Sequence, residues 1–325
     1  MSYFSPLVAA LITILVIAVI LSSRFRDNIQ DIPNERSLHS TPIPRIGGIG
    51  LMTGVLSAWA LMFTSLAWWL MLPLIGLIFV SLLDDMHNLP VRQRFSAQIM
   101  AAAILVGGSG LFADHGIGIA LVVLLFTVWM TNLYNFMDGS NGLAGGMALF
   151  GFIAYGIAAL IAQNDALAML NFSISAAAAG FLLYNFQPAR VFMGDAGSIP
   201  LGFLTAAMGL LGWQQGAWAI WFPLMVFSPF IVDASVTLAK RTVRGVKVTE
   251  AHREHYYQRA IQMGWSHRKL ALVEYALMLG SGISAILARD QALPWQAFLM
   301  WGCIYGALMI ALDAAWRRTE REKHA

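Results

Sequence analysis

Long, uninterrupted runs of apolar residues constrain this chain more than any other feature of its sequence. The runs are about 17 to 22 residues long, the length of helix that crosses the hydrocarbon core of a bilayer. Hydrophobic residues make up 58% of the 325 residues and charged residues only 11%. We therefore expect an integral membrane protein with helical spans, because lipid-exposed strand edges leave backbone groups unpaired and the runs lack the alternation of a membrane barrel.

The hydropathy pattern predicts an all-α, polytopic fold with about eleven transmembrane helices in a single domain, residues 1–325. The predicted spans are Tyr3–Leu21, Gly47–Phe63, Trp68–Leu83, Phe95–Phe112, Ile117–Thr131, Leu143–Ala162, Ala166–Tyr184, Ser198–Leu211, Ala217–Lys240, Leu270–Leu287 and Trp295–Trp316.

The basic residues predict the orientation of these spans. Every Lys and Arg except Arg289 falls on one side, and short cytoplasmic loops are the ones that carry a Lys and Arg excess. We therefore expect a periplasmic amino terminus and a cytoplasmic carboxyl terminus. The net charge of +3 is interpreted as an insertion signal, and no nucleic-acid partner is expected. The first run has neither a preceding basic region nor a following cleavage pattern, which favours a helix of the mature protein over a signal peptide.

Nearly all histidines and carboxylates lie in the predicted inner loops, so any chemistry is expected to face the cytoplasm. These loops are 22–46, 84–94, 132–142, 185–198 and 241–269. The first contains a Pro/Gly segment from His39 to Gly48, in which prolines disfavour a helix and glycines allow a close backbone approach. A stiff connector with ordinary cytoplasmic arginines is the alternative interpretation.

The second inner loop opens with the adjacent acids Asp84 and Asp85 at the end of a span. Neighbouring carboxylates repel each other near the headgroup boundary unless a cation neutralises them. Oxygen ligands in a phosphate-handling site favour Mg²⁺. A solvated helix end is the alternative, although acids at a helix carboxyl terminus oppose the macrodipole.

The third and fourth inner loops are also rich in polar groups. The stretch from Asn132 to Ala144 contains one carboxylate, Asp138, together with three side-chain amides and two glycines, and it is predicted to be a binding loop. In the fourth loop Asp195 precedes a helix whose first amides could face an anion while the carboxylate holds a metal. Helix capping by Asp195 or Ser198 is the alternative.

The ninth span and the loop after it leave more than one interpretation open. Pro223 and Pro229 predict a kink, and Asp233 inside this span is expected to be either paired or functional. If the following loop is helical, His252, His255 and Arg259 share one face. Such a face could bind a pyrophosphate or belong to a solvated basic helix, whereas zinc would lack a third ligand.

Five ordered motifs resemble the polyprenyl-phosphate N-acetylhexosamine-1-phosphate transferases, in glycosyltransferase family 4. They are the His39 to Gly48 segment, Asp84-Asp85, Asn135 to Gly142, Phe192 to Ser198 and the His252/His255 loop. Nearly the whole chain is covered, and Tyr256-Tyr257-Gln258-Arg259 resembles the branch that initiates O-antigen or enterobacterial common antigen, related to the lipid I-forming translocase. The resemblance implies a multi-pass enzyme of the bacterial inner membrane, with the bilayer as a partner and a homodimer as one arrangement.

The implied reaction is attack of undecaprenyl phosphate on the β-phosphate of a UDP-N-acetylhexosamine, either UDP-GlcNAc or a 6-deoxy amino sugar equivalent, with release of UMP. The implied cofactor is Mg²⁺, with Mn²⁺ as an alternative ion. Asp195 and Asp85 resemble metal ligands. The implied catalytic residues are Asp84, Asp85, His252 and His255. The implied substrate-binding residues are His39, Arg45, Asn135, Asp138, Asn141, Asn185, Phe192, Arg253 and Arg259.

Two departures from the family pattern concern charge. Asn141 stands where many members have a second Asp, and the histidine motif is less dense than usual. We therefore expect the third loop to orient the nucleotide mainly by hydrogen bonds. A transporter or channel with a cytoplasmic ion or phosphate site is the alternative of a different class, and it would require polar pairs at mid-membrane and inverted-repeat symmetry, which the sequence lacks.

Overall fold

The computed structural model describes residues 3–32, 42–247 and 252–324, and this part of the chain is almost entirely helical. One antiparallel pair of two-residue strands, β1 (Gln30–Asp31) and β2 (Ile43–Pro44), flanks the undescribed part of the first inner loop. The helices are α1 (Ser5–Ser22), α2 (Gly47–Ala60), α3 (Trp68–His87), α4 (Val91–Gly108), α5 (Leu111–Phe136), α6 (Leu143–Ile161), α7 (Asp165–Asn185), α8 (Asp195–Gln214), α9 (Phe222–Val226), α10 (Ser228–Val243), α11 (Tyr256–Gln262), α12 (His267–Leu287) and α13 (Trp295–His324).

The all-α polytopic fold predicted from hydropathy is confirmed. Within the described residues, α1, α3, α5, α6, α7, α8, α12 and α13 are long and apolar enough to cross a membrane. The second and fourth predicted spans correspond to α2, which is shorter, and to α4, whose first turn carries Arg92 and Arg94. The total of eleven spans and their sidedness remain predictions.

The ninth predicted span is broken into two helices, as its prolines indicated. Helix α9 ends at Val226 and α10 begins at Ser228, with Pro229 in the first turn of the new helix. Proline has no N–H to donate, so it is tolerated where a helix starts and not in the interior. The predicted kink is therefore confirmed, and it leaves Asp233 on the shorter helix α10.

The predicted loop beginning at Asn132 is wrong for its first five residues, because α5 continues to Phe136. The Asn132 side chain donates to the Val128 carbonyl at 2.8 Å, one turn earlier, and to Gln98 Oε1 of α4 at 2.6 Å. These two bonds satisfy the amide inside a helix, so its polarity did not mark the end of the span. The connecting turn is confined to residues 137–142.

Helix α8 lies at the centre of the bundle and sets the position of the polar loops. Every residue from Ala196 to Gly212 is buried, and α8 packs against α2, α3 and α5. At its start, Gly48 and Gly197 are so close that a Cβ on Gly48 would collide with the Gly197 backbone. The amino terminus of α8 is therefore held where the polar ends of α3 and α5 meet.

The segment before α2 is bound to the segment before α8 by backbone hydrogen bonds. Phe192 donates its N–H to the Pro44 carbonyl at 2.8 Å, Gly47 donates to the Phe192 carbonyl at 2.9 Å, and Gly48 donates to the Met193 carbonyl at 2.8 Å. The first and fourth inner loops, far apart in sequence, thus form one surface beside α8.

Candidate active site

Asp85 joins α3 to the start of α8. Its Oδ1 accepts the backbone N–H of Asp195 at 3.0 Å, and its Oδ2 accepts that of Ala196 at 2.8 Å. These are two of the N–H groups that a helix leaves without an internal partner, and a carboxylate there also faces the positive end of the macrodipole. The Asp85 carboxylate therefore anchors the turn that carries Asp195.

Asp84 and Asp195 share one guanidinium. Nη1 of Arg94 lies 2.9 Å from Asp84 Oδ2 and 3.4 Å from Asp195 Oδ2. The other oxygen of Asp84 accepts the N–H of Leu89 at 2.7 Å, which ties the loop after α3 to its last turn. Asp84 is only 6% exposed, so its charge is both buried and paired.

Arg45 lies on the other side of the α8 terminus. Its guanidinium pairs with Asp31 at 2.5 Å, and its positive charge also acts on Asp85 and Asp195. Burial lowers the pKa of Arg45, but the carboxylates outweigh that effect and raise it above the ordinary value. Gly194 separates these groups with φ +73°, and a Cβ there would lie 2.9 Å from Asp85 Oδ2 and 3.2 Å from Arg45 Cβ. Only glycine allows this close approach without strain.

The end of α5 contributes an amide and a fourth carboxylate. Asn135 Oδ1 accepts the Ser198 hydroxyl at 2.8 Å, which places the predicted third-loop residue against α8. Asp138 is half-buried in the following turn, and within the described ranges its carboxylate has no hydrogen bond or ion pair. Burial, and then the charges of Asp195 and Asp85, raise the pKa of Asp138 well above its usual range.

Asn185 and Asn141 connect the third and fourth loops. Asn185 is 4% exposed; its Oδ1 accepts the Gly142 N–H at 2.8 Å and its Nδ2 donates to the Val191 carbonyl at 2.9 Å. The Asn141 side-chain amide donates to Gln187 Oε1. Asn141 and Asn185, both predicted to contact the substrate, thus bind other residues of the protein, and Asn185 links the two loops through their backbones.

Phe192 and His39 are both predicted to contact the substrate, but only Phe192 lies in the described part of the chain. Phe192 is half-buried, with its backbone fixed between Pro44 and Gly47. It therefore lies on the shared surface beside the α8 terminus. His39 lies outside the described residues, so its contribution remains a prediction.

The histidine loop forms a compact group at the end of α5. A shared face for His252, His255 and Arg259 was expected only if the loop is helical, and that condition is not met, because residues 252–255 are non-helical and α11 starts at Tyr256. The two imidazole rings nevertheless lie 4.9 Å apart, and the His255 ring lies 6.1 Å from the Phe136 ring. Burial, and then the charges of His255 and Arg241, lower the pKa of His252 to about 4, which makes it neutral at pH 7.

Arg259 and Arg253 flank this group in different ways. Arg259 Nη1 lies 3.0 Å from Asp313 Oδ1, and its guanidinium stacks over the Tyr256 ring at 5.3 Å. Its charge is therefore neutralised by α13. Arg253, by contrast, has no ion pair or hydrogen bond from its guanidinium anywhere in the described part of the chain. Of Arg253 and Arg259, both predicted to bind the substrate, Arg253 is the one left available.

A largely apolar cavity of about 480 Å³ lies beside the histidine group, bordered by α10, α11, α12 and α13. Its lining includes Pro229 and Asp233 from the kinked region, and Leu308 and Leu312 from α13. The cavity therefore runs along the apolar spans and ends near the first turn of α11.

Sequence reasoning missed Arg94, which it counted only as a cytoplasmic basic residue. A signal was available, because Arg92 and Arg94 lie in the first turn of α4, where a cation opposes the macrodipole and needs a compensating partner. For Arg94, the ion pairs with Asp84 and Asp195 provide the compensating negative charge.

Comparison with known proteins assigns the chain to a family. The model of glycosyl transferase family 4 matches residues 66–212, which include Asp84, Asp85, Asn135, Asp138 and Asp195. The chain is 30% identical to an undecaprenyl-phosphate alpha-N-acetylglucosaminyl 1-phosphate transferase of Yersinia pestis, over 90% of each chain. It is 28% identical to a probable undecaprenyl-phosphate N-acetylglucosaminyl 1-phosphate transferase of Bacillus subtilis, over 94% of this chain and 90% of the relative.

A third relative, of lower identity, has a different name. The phospho-N-acetylmuramoyl-pentapeptide-transferase of Staphylococcus aureus is 26% identical over 87% of this chain and 98% of its own. The fold and the carboxylate site define a polytopic membrane protein with a polar site at one end of its bundle. The chain belongs to the polyprenyl-phosphate N-acetylhexosamine-1-phosphate transferase family.

Proposed function

We propose that this protein transfers an N-acetylhexosamine-1-phosphate from a UDP-sugar to undecaprenyl phosphate and releases UMP. The observation that carries the proposal is the group of four carboxylates, Asp84, Asp85, Asp138 and Asp195, around the start of α8. The names of the relatives support the same reaction. We place the site at the cytoplasmic face of a bacterial inner membrane, as the distribution of basic residues predicts.

The chemistry requires charge neutralisation more than proton removal. A phosphate monoester has a second pKa near 6, so the acceptor is largely ionised at neutral pH. Its approach to an anionic pyrophosphate is opposed by repulsion, and positioned cations reduce that repulsion. Arg94 and Arg45 flank the carboxylates on two sides, and Arg253 is available next to the histidines. These residues would hold the two anions in line for transfer.

The donor set fits Mg²⁺. Within the described ranges no three His, Cys, Asp or Glu side chains form a ready-made metal site, but Mg²⁺ usually keeps several waters and needs only one or two protein carboxylates beside the phosphates. Among the described residues no partner holds the Asp138 carboxylate, and the Arg94 contact of Asp195 is long, at 3.4 Å, so both acids leave oxygens available. Asp84 and Asp85 both repel the Asp195 charge. A bound Mg²⁺ would neutralise the pyrophosphate oxygens in the transition state.

Asp195 and Asp138 fit the metal better than Asp85 does. Each Asp85 oxygen already accepts one backbone N–H, so Asp85 would act mainly by fixing the turn that carries Asp195. Asp84 would orient Arg94 toward the reacting phosphates, because its Oδ2 holds that guanidinium at 2.9 Å. In this scheme the lipid phosphate attacks directly and no residue becomes phosphorylated.

The nucleotide and the lipid would approach from different sides. Asn135, Asp138 and the half-buried Phe192 lie near the surface beside α8, where the uridine would stack and form hydrogen bonds. The apolar cavity between α10 and α13 would take the polyprenyl tail, since it is lined along its length by residues of these helices. The histidine pair would then close over the pyrophosphate or the sugar.

The test is a donor panel with purified protein, Mg²⁺ and undecaprenyl phosphate, and UMP release as the measurement. We expect release with one or more UDP-N-acetylhexosamines, or with a 6-deoxy amino sugar equivalent. Chelation of divalent cations should abolish release, and added Mg²⁺ or Mn²⁺ should restore it. No release with any donor would contradict the proposal and favour a transporter.

A further inference from the structure

Asp233 is a buried acid that the proposed chemistry does not use. It lies on α10, is 6% exposed and lines the apolar cavity. Its Oδ1 accepts the backbone N–H of Tyr256 at 2.9 Å and the Thr237 hydroxyl at 3.2 Å, and its Oδ2 accepts the backbone N–H of Tyr257 at 3.0 Å. One carboxylate on α10 thus binds two successive N–H groups at the start of α11.

Helix α11 needs such an external anchor. It has seven residues, and isolated helices shorter than about 12 to 15 residues are marginal in water. Two of its aromatic residues supply further links: Tyr257 donates its hydroxyl to the Phe136 carbonyl at 3.0 Å, and Tyr256 donates its hydroxyl to Asp313 at 3.2 Å. These links hold side chains, whereas Asp233 holds the backbone of the first turn.

The residue directly before this turn is His255. Its ring Nδ1 lies 3.5 Å from Asp233 Oδ1, and the ring packs between Phe136 at 6.1 Å and His252 at 4.9 Å, measured between centroids. A shift of the first turn of α11 would move His255 and the His252 ring packed against it. Asp233 is the group that fixes this turn relative to the membrane-embedded part of the bundle.

We propose that Asp233 is a positioning residue that sets the His252/His255 pair through the first turn of α11. This inference rests on the proposed function, in which the histidine pair faces the pyrophosphate or the sugar. Asp233 does not touch the reacting atoms itself. It acts by holding the two imidazole rings at a fixed position relative to the end of α5.

The test is a double-mutant cycle in lipid nanodiscs with Asp233→Asn, His255→Ala and the double variant, and Thr237→Val as the matched control. Asp233→Asn keeps the shape but turns an N–H₂ toward one backbone N–H. Because misplacement of a catalytic group by about 1 Å can cost a hundredfold in rate, we expect kcat to fall roughly tenfold to a hundredfold. The KM for undecaprenyl phosphate should stay within about twofold. Thr237→Val removes the hydroxyl but leaves both backbone contacts, so it should keep kcat.

The decisive result is whether the losses of kcat in the two single variants add up in the double variant. If Asp233 acts through His255, the double variant should be no slower than His255→Ala by more than about threefold. Fully additive losses, or a normal kcat for Asp233→Asn, would overturn the positioning role. If Asp233→Asn does not fold, Asp233→Glu takes its place in the same cycle, since it keeps the charge but displaces both acceptors. Absence of transfer by the wild-type protein would reject the proposed function and this inference together, whereas wild-type transfer with additive losses would reject only the inference.

Discussion

The double acceptor role of Asp85 predicts a loss of stability that Asp195 should not show. Replacement of Asp85 by Ala leaves the N–H groups of Asp195 and Ala196 without a partner, and Ala196 is buried. An unsatisfied buried donor costs roughly 1 to 3 kcal/mol, and loss of a capping side chain costs about 0.5 to 2 kcal/mol. We therefore expect Asp85→Ala to lower the free energy of unfolding by about 2 to 4 kcal/mol. Asp85→Asn retains one acceptor and should lose roughly half of that.

The matched comparison is Asp195→Asn, in the helix α8 that Asp85 anchors. Among the described residues, the Asp195 carboxylate contacts the Asp84 carboxyl and has a long ion pair with Arg94, at 3.4 Å. Such a pair contributes less than about 1 kcal/mol, so stability should change little. Transfer, however, should fall by at least about a hundredfold if Asp195 is a metal ligand. The two variants should thus differ in stability: Asp85→Asn should lose both stability and activity, whereas Asp195→Asn should lose activity alone.

The assay is thermal unfolding of purified protein in one detergent, with UMP release measured on the same samples at a temperature where each variant is folded. An unchanged melting temperature for Asp85→Ala would refute the anchoring role of its carboxylate. Near-normal turnover by Asp195→Asn would remove it from the metal site. If Asp85→Asn is inactive yet as stable as the wild type, then Asp85 acts on the substrate or the metal directly, as the sequence motif suggested.

Two further predictions concern the loops. Asn185→Ala removes two hydrogen bonds to the backbone at a 4% exposed position, so it should lower the free energy of unfolding by roughly 1 to 3 kcal/mol. Thermal unfolding is the measurement. Asn141→Ala, at a half-buried position, is the control and should lower the free energy of unfolding by less than half as much. In the folded protein the pKa of His252 is lowered to about 4 from 6.5, so between these pH values the unfolded chain binds more protons than the folded one. The free energy of unfolding should therefore fall as the pH decreases from 6.5 to about 4. His252→Gln should flatten this dependence, measured as melting temperature against pH. An unchanged slope in His252→Gln would assign the acid sensitivity to another group.

The helices could be predicted from sequence because their signal is long-range and one-dimensional. An apolar run long enough to cross the bilayer core must be helical, because its backbone groups have no water to bind there. Each predicted span has a helical counterpart in the structure. The errors occur at helix ends, where one polar side chain can belong either to a loop or to a satisfied helical turn. Asn132 is such a case, because its partner Gln98 lies on α4 and cannot be identified from local sequence.

The site was predictable as a set of residue types but not as a set of contacts. The adjacent acids, the amides after α5 and the Asp before α8 all lie in polar segments, and their proximity follows from the ends of α3 and α5 meeting at α8. The partners of Arg94 and Arg259 could not be assigned in the same way. Arg94 is held by Asp84 and Asp195, and Arg259 by Asp313, residues separated from them by 10, 101 and 54 positions in the chain.

Asp85 and Asp233 show why residue type alone could not assign roles among the buried acids. Each places its two oxygens on two successive backbone N–H groups of a helix that begins elsewhere in the chain, α8 for Asp85 and α11 for Asp233. An acid in a mostly apolar span must be paired or functional, and these two are paired with backbone N–H groups. One anchors the turn that carries Asp195, and the other anchors the turn that follows His255. The two helix starts are thereby fixed to α3 and α10, so the carboxylate side and the histidine side of the site keep their relative positions through the bundle and not through the loops alone.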